Sequence, residues 1–297
     1  MRIERANAKI NLYLNVISKR ENGYHNIVSL MQTVSLCDLV SVEFRPSAHT
    51  QITLRASGNA AMPTDCRNLA WRAAEKYLEA TGQSGEVLIS IEKHIPMAAG
   101  LAGGSADAAA VLRALNRLCG SHLSVEALCE LGGKLGADVP FCIVGGGALV
   151  EGIGERLTQI DSMPGSILVV ACMGEGVSTP IAYAKLDDTY CNFTSPAPKD
   201  PRVERLLCAI KAGDLSGSYG DLFNLFEEVV PQMQGEVDKV KDCMVGHGAL
   251  RAMMSGSGPS VFGVFPDSLS AQAACEAIKA MGGQAFVCHP CGKFSGV

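Results

Sequence analysis

The sequence predicts an α+β fold, and three features of its pattern predict it. Apolar and polar residues alternate near the start, through Ile10, Leu12, Leu14 and Val16. Helical spacing replaces alternation from Asn68 to Leu78, where Leu69, Ala73 and Tyr77 share a face. Beyond Gly154, strand and helix patterns follow one another irregularly, not in the strict succession that builds a doubly wound parallel sheet. The chain has 297 residues, 47% of them hydrophobic and 19% charged. That is enough for one large domain or two ordinary ones, with a core that needs no disulfide or metal.

The opening alternation gives a half-buried strand, and Leu39–Phe44 and Gln51–Leu54 repeat its period of two. The helix from Asn68 stops at Gly82. Glu86–Ile95 returns to alternation through Val87, Ile89 and Ile91, and a loop of small residues, Pro96–Gly104, follows. Ser105 is expected to cap a helix that runs to about Cys119 before Gly120, and another short helix begins at Ser124. Pro140–Val150 reads as a strand broken by Gly145, Gly146 and Gly147. A domain boundary is expected near Glu151–Gly154, dividing the chain into residues 1–152 and 153–297. The second part opens on a strand, Ile167–Cys172, with helical patterns around Arg205, Asp221–Val230 and Val237–Cys243. Strands Leu250–Met254 and Val261–Phe265 flank a second glycine loop, Ser255–Pro259. A helix from about Leu269 to Met281 and a strand, Gln284–Cys288, complete the order. Asp187–Pro201, polar and with three prolines, reads as an exposed loop.

Composition excludes several classes of function. The net charge is −5 and the 25 Lys and Arg residues are dispersed, so no basic stripe awaits a nucleic acid. The longest apolar runs, such as Ile167–Met173, fall far short of the roughly 20 residues of a membrane span. The charged opening, Met1 to Arg5, does not suit a secretory signal, and a cytoplasmic protein is expected. The twelve cysteines are scattered singly, most of them within apolar stretches, and read as ordinary packed thiols. Cys288-His289-Pro290-Cys291 is one Cys-x-x-Cys pair without a second, weak evidence for zinc, and no strand-then-helix setting of a redox motif follows it.

The chemistry concentrates in the strand, glycine loop and helix from Ile89 to Cys119. A helix N-terminus presents unpaired N–H groups and the positive end of its dipole, which suits a phosphate. Small residues before it let the backbone come close, and a branched side chain at Gly103 is expected to block that approach. The loop is not a Walker A motif, because GxxxxGK[ST] is absent. Two charged residues stand out. Lys9 lies between the apolar Ala8 and Ile10, either meeting an anion or snorkelling from a strand edge. Asp138, between Ala137 and Val139, is either a turn residue bonding its own backbone or a carboxylate in a dry cleft.

Pro96-Met97-Ala98-Ala99-Gly100-Leu101-Ala102-Gly103-Gly104-Ser105-Ala106-Asp107 resembles the phosphate loop of the small-molecule kinases grouped with galactokinase, homoserine kinase and mevalonate kinase, the GHMP kinases. Ala8–Leu14, the Gly23-Tyr24-His25 turn and Gly136–Phe141 narrow the likeness to the family that phosphorylates 4-diphosphocytidyl-2-C-methyl-D-erythritol, in the non-mevalonate isoprenoid pathway. Met254–Phe262 fits the C-terminal motif. The resemblance implies a two-lobed fold with the active site between the lobes, an N-terminal lobe binding ATP and a C-terminal lobe binding substrate. It implies ATP and Mg²⁺ as cofactors and a small-molecule substrate, cytidine diphosphate methylerythritol, with no nucleic acid or membrane partner, in a monomer or homodimer. By position, Asp138 matches the catalytic base and Lys9 the catalytic lysine, while Asn11, Tyr24, His25, Tyr183, Gly256 and Ser257 fall at substrate positions. Asn68, Lys93 and the loop from Pro96 to Ala106 fall at ATP positions, with Ser105 near the magnesium. Tyr24 and His25 argue against a mevalonate or homoserine kinase, whose substrates carry no cytosine. Lys9 and Asp138 together argue against a non-catalytic nucleotide-binding regulator. Ala98, Ala99 and Ala102 stand where some members have glycine, so a stiffer loop is expected, and Glu21-Asn22 stands where Arg-x-Asp is common.

Overall fold

A computed structural model describes residues 1–58, 61–120, 123–193 and 200–294. In chain order the elements are β1 (Arg2–Lys19), β2 (His25–Pro46), β3 (Gln51–Ser57), α1 (Leu69–Thr81), β4 (Gly85–Glu92), α2 (Gly103–Leu118), α3 (Val125–Gly133), α4 (Val139–Val144), β5 (Gly147–Gly152), β6 (Arg156–Ile160), β7 (Ile167–Cys172), α5 (Thr179–Thr189), α6 (Pro201–Ala212), β8 (Phe223–Asn224), α7 (Val230–Met233), α8 (Glu236–Gly246), β9 (Arg251–Met254), β10 (Val261–Phe265), α9 (Ser268–Ala280) and β11 (Gln284–Cys288).

The strands form two sheets. One runs β3-β4-β2-β1-β8, with β5 on β2 and β6 on β5; the other runs β11-β7-β10-β9. The 22-residue β2 serves two neighbours, pairing β4 through residues 39–46 and β5 through residues 27–32. Three cores result. One lies between the first sheet and α1 and α2, where Val40, Ile89 and Ile91 meet Ala109, Leu112 and Tyr77. A second backs the other sheet with α8 and α9, through Val240, Met244, Ala274 and Ile278. In the third, Ile10, Leu12 and Leu30 meet Val170 and Phe262, so the two sheets close on each other.

That closure corrects the opening strand. β1 is buried on both faces from Ala6 to Leu14 rather than on one. Alternation misled because Asn7, Lys9 and Asn11 are interior too, each engaged by a polar partner. The β1–β2 register breaks between Asn7 and Lys9, and again between Asn11 and Tyr13. Such irregularities re-aim side chains, and here they bracket Lys9 and Asn11.

Other expectations are also revised. Val139–Val144 is the short helix α4, not the first half of a strand. Pro140 suits a first helical turn, because its missing N–H would have had no partner there. The strand begins only at Gly147, after two glycines with positive φ. Ser105 lies inside the first turn of α2, whose cap is Ala102, so the serine hydroxyl is not a cap. Asp221–Val230 is not one helix but short 3₁₀ turns around the two residues of β8. Of the Asp187–Pro201 segment, α5 takes the residues to Thr189 and a 3₁₀ turn takes Cys191–Phe193. Its residues 194–199 lie outside the described residues.

Among the described residues no helix is long and apolar enough to cross a membrane, and no group of three or more His, Cys, Asp or Glu could hold a metal ion. The Cys288–Cys291 segment is an extension of β11, with His289 and Cys291 bonded to Ser35 and Thr33 of β2. Burial pushes the Cys288 thiol up to about 12, which makes it inert.

Candidate active site

A cleft of about 1020 Å³ is lined by β1, the start of β2, both glycine loops, α2 and α5. Its floor is the N-terminus of α2. Ala106 N–H is the first amide to close a helical bond, to Ala102 O at 2.9 Å, so those of Gly103, Gly104 and Ser105 have no acceptor in the helix. Ala106 itself is buried behind the helix, not in the cleft, unlike the loop from Pro96 to Ser105. Ala98, Gly100 and Ala102 have φ of 51°, 76° and 57°. An alanine in this region costs roughly 1–2 kcal/mol, so the loop holds a shape its residues do not prefer alone.

The expectation for Gly103 does not hold. A Cβ there would lie 3.0 Å from Lys93 Nζ and 3.1 Å from Ile95, pressed into the protein. At Gly104 only Leu69 comes within 4 Å, at 3.8 Å, and a side chain there would enter the cleft.

Lys9 and the second glycine loop meet on one carbonyl of the first loop. Lys9 Nζ donates to Asn11 Oδ1 at 2.7 Å and to Gly100 O at 3.0 Å, and Ser255 Oγ donates to the same carbonyl at 3.2 Å. Asn11 is 1% exposed. Its Nδ2 donates to Ser29 Oγ at 2.8 Å, leaving one amide hydrogen for a ligand. Asp138 stands just before α4, half-buried on the cleft wall, and makes no capping bond. Lys9 and Asp138 both act on the Cys142 thiol, which burial above all pushes up; Asp138 adds to the rise and Lys9 opposes it.

At the other end of the cleft, Tyr24 is 60% exposed. His25 is buried, with Nε2 2.7 Å from Asp187 Oδ1. Tyr183 stacks on the imidazole, centroids 4.6 Å apart and planes at 22°, with Phe226 edge-on behind it at 4.9 Å. Tyr183 thus already covers one face of His25. Gly256 O accepts from Asn224 Nδ2 at 2.9 Å, and Ser257 Oγ meets Thr179 Oγ1 at 2.9 Å, tying the second loop to α5.

Two expected nucleotide contacts are occupied within the protein. Asn68 caps α1 through Ala70 N–H at 2.9 Å and donates to Pro63 O at 2.8 Å. Lys93 Nζ is held by Asp38 Oδ2 at 2.5 Å and Asp107 Oδ2 at 2.8 Å, although the residue lines the cleft. The sequence does not foretell that Asp38 and Asp107 hold Lys93, though each leaves a trace: an acid inside the apolar run Leu36–Val40, and one inside the alanine run of α2. A buried acid needs a cation, and only the paired register of β2 and β4 brings Lys93 to it.

This triad holds one cation between two carboxylates, and Asp107 Oδ1 has no partner among the described residues. Burial pushes the Asp107 carboxyl up to about 7, opposed by Lys93 and assisted by the charge of Asp38. A carboxyl raised on folding binds its proton more tightly when folded, so its contribution is full below the unfolded value near 3.9 and is lost as pH rises through about 7. Between pH 4.5 and 7.5 the wild-type melting temperature is therefore expected to fall by several degrees relative to Asp107→Asn. Parallel calorimetric curves for the two proteins would contradict this.

Residues 68–146 match the family model for the GHMP kinases N terminal domain, and residues 206–284 that for the GHMP kinases C terminal. A 4-diphosphocytidyl-2-C-methyl-D-erythritol kinase of Caldicellulosiruptor saccharolyticus is 44% identical over 277 residues, 93% of this chain and 92% of the relative. One of Clostridium novyi is 41% identical over 275 residues, 93% of this chain and 95% of the relative. A crystal structure of 4-(cytidine 5'-diphospho)-2C-methyl-D-erythritol kinase superposes with a TM-score of 0.81 at 37% identity, covering 98% of this chain and 100% of that one. A mevalonate kinase of L. major, at 15% identity and a TM-score of 0.73, shares the fold. With such identity along nearly its whole length, the chain belongs to the GHMP kinases and, among them, to the 4-diphosphocytidyl-2-C-methyl-D-erythritol kinase family.

Proposed function

We propose that the protein transfers the γ-phosphoryl group of ATP to the 2-hydroxyl of 4-diphosphocytidyl-2-C-methyl-D-erythritol, in the methylerythritol phosphate route to isoprenoid precursors. The observation that carries the reading is that Lys9 and Asp138 share one cleft with a glycine loop at a helix N-terminus and an aromatic recess around His25. Asp138 accepts the proton of the substrate hydroxyl, and the Lys9 ammonium lowers the cost of the developing alkoxide. The amides of Gly103, Gly104 and Ser105 hold the phosphates of ATP, so the chemistry asks mainly for position and charge. In this reading residues 1–152 carry the nucleotide and residues 153–297 close the substrate side with Tyr183, Gly256 and Ser257. The protein works in the cytoplasm, with its thiols reduced.

Mg²⁺ fits the donor set. Ser105 Oγ faces the Gly136–Asp138 turn, 3.9 Å from where a Cβ on Gly136 would stand. A hard hydroxyl oxygen at the helix N-terminus suits an ion that keeps several waters and otherwise binds phosphate oxygens. Ser105 would hold the ion beside the phosphates of ATP, where it would supply charge neutralisation.

The test is ADP release with the cytidyl substrate, set against mevalonate and homoserine; turnover of either competitor in preference would overturn the assignment. Tyr24→Ala is expected to weaken the cytidyl substrate by about 1–3 kcal/mol, the worth of one stacked base, while the KM for ATP changes little. An equal loss for ATP would move the cytidine pocket elsewhere.

A further inference from the structure

The aromatic recess contains a charged chain that neither the motifs nor the phosphoryl chemistry uses. Asp187, on α5, lines the cleft and is bonded on both oxygens. Lys19 Nζ at the end of β1 donates to Oδ2 at 2.6 Å, and His25 Nε2 at the start of β2 meets Oδ1 at 2.7 Å. The imidazole is 6% exposed and the carboxylate 13%. Stacking on Tyr183 and the edge of Phe193 at 5.9 Å hold the ring plane. Two groups from either side of the β1–β2 turn therefore converge on one carboxylate that lies 168 and 162 residues further along the chain.

A carboxylate beside an ammonium is ionised, and an ionised carboxylate only accepts hydrogen bonds. Burial raises the Asp187 carboxyl, but the bonds from Lys19 and His25 outweigh it and hold it below the usual range. Nε2 must then carry a proton, and in the neutral ring Nδ1 presents a lone pair. We propose that Asp187, anchored by Lys19, is a positioning residue that locks His25 in the Nε2–H tautomer and so selects a pyrimidine with an exocyclic amine over one with a carbonyl in its place. Cytosine offers its 4-amino hydrogens to such a lone pair. Uracil sets a carbonyl oxygen against it, two acceptors facing with no proton between them. The inference rests on the cytidyl reading above and adds what enforces the base choice. It is a property of the pair, because histidine alone, free to exchange tautomers, reads either base.

The experiment compares kcat/KM for the cytidyl substrate and its uridyl counterpart in wild type, Asp187→Asn and Asp187→Glu. Asparagine keeps the shape but can donate its amide to Nε2, releasing the proton to Nδ1. The wild type is expected to prefer the cytidyl substrate by about a hundredfold or more, since a site built around one polar partner rejects the analogue that lacks it. Asp187→Asn should cut that ratio at least about tenfold, from both sides, with the cytidyl substrate worse and the uridyl one better. Asp187→Glu, still an acceptor, should retain most of the preference, which loss of local structure would not allow. Nitrogen-15 spectra of wild-type protein labelled at histidine, assigned against His25→Gln, should show Nε2 protonated and Nδ1 bare. A wild-type ring with a proton on Nδ1, or on both nitrogens at neutral pH, overturns the proposal. So does an Asp187→Asn ratio within about twofold of wild type. A wild type that phosphorylates neither nucleotide sinks the functional reading, and the base selection with it; one that prefers the cytidyl substrate while Asp187→Asn does too sinks only the role of Asp187.

Discussion

Asp138→Asn is expected to lower turnover by at least about two decades while ATP and substrate still bind. Asparagine has nearly the same shape and lacks only the charge and basicity of the carboxylate. General-base catalysis contributes about 10²–10⁴-fold, or roughly 3–5 kcal/mol of barrier. The other reading of this residue, an acid bonding its own backbone in a turn, makes a different forecast, because asparagine serves there almost as well. Asp138 makes no capping bond to α4, so that reading has no contact to rest on. Single-turnover rates at saturating ATP and substrate separate chemistry from product release. A variant keeping more than about a tenth of the wild-type rate would remove the general base from the mechanism. Lys9→Met is the harsher companion, since it also removes the bonds to Asn11 and Gly100.

The residues that were legible in the sequence are those whose chemistry is local. The loop from Pro96 to Ser105, Lys9 with Asn11, and Asp138 each sit in a short contiguous motif, and each lines the cleft. What was not legible depends on pairings far apart in the chain. Asp187 matters because α5 brings it to His25 and Lys19, 162 and 168 residues away. Asp38 matters because β2 and β4 align it beside Lys93, 55 residues on. Period alone could not separate strand from helix in Val139–Val144, six apolar positions of which five are buried. The long β2 is legible only where it alternates cleanly, since its stretch from Ser29 to Val34 is buried without a break and carries no period of two. Glycine was read as freedom of the backbone, whereas at Gly103 its function is space for Lys93 and Ile95.

The same distinction between freedom and space sets the other large effect, at Gly100. Its φ of 76° already disfavours any side chain, by roughly 1–2 kcal/mol. Space is the stronger constraint. A Cβ on Gly100 would overlap Ser255 O and stand 3.0 Å from Gly258 N, and one on Gly256 would stand 2.8 Å from Gly100 O. The two glycine loops therefore touch backbone to backbone, and neither obstacle is a side chain that could swing aside. Gly100→Ala must push the loops apart. The carbonyl it moves is the one that accepts from Lys9 Nζ and from Ser255 Oγ, so the ammonium loses its anchor along with the loop. A displacement near 1 Å at a reacting group can cost about 10²-fold, and that is the loss of kcat/KM expected here. The protein should still fold, with a lower melting temperature, because of the three cores only Ala99, Leu101 and Met254 border the contact. Ala102→Gly is the informative contrast: it relaxes the same loop at a position whose φ of 57° suits glycine, without adding an atom. Gly100→Ala with kcat/KM within about threefold of wild type would mean that the loops can part without disturbing Lys9, and that the lysine is placed by Asn11 alone.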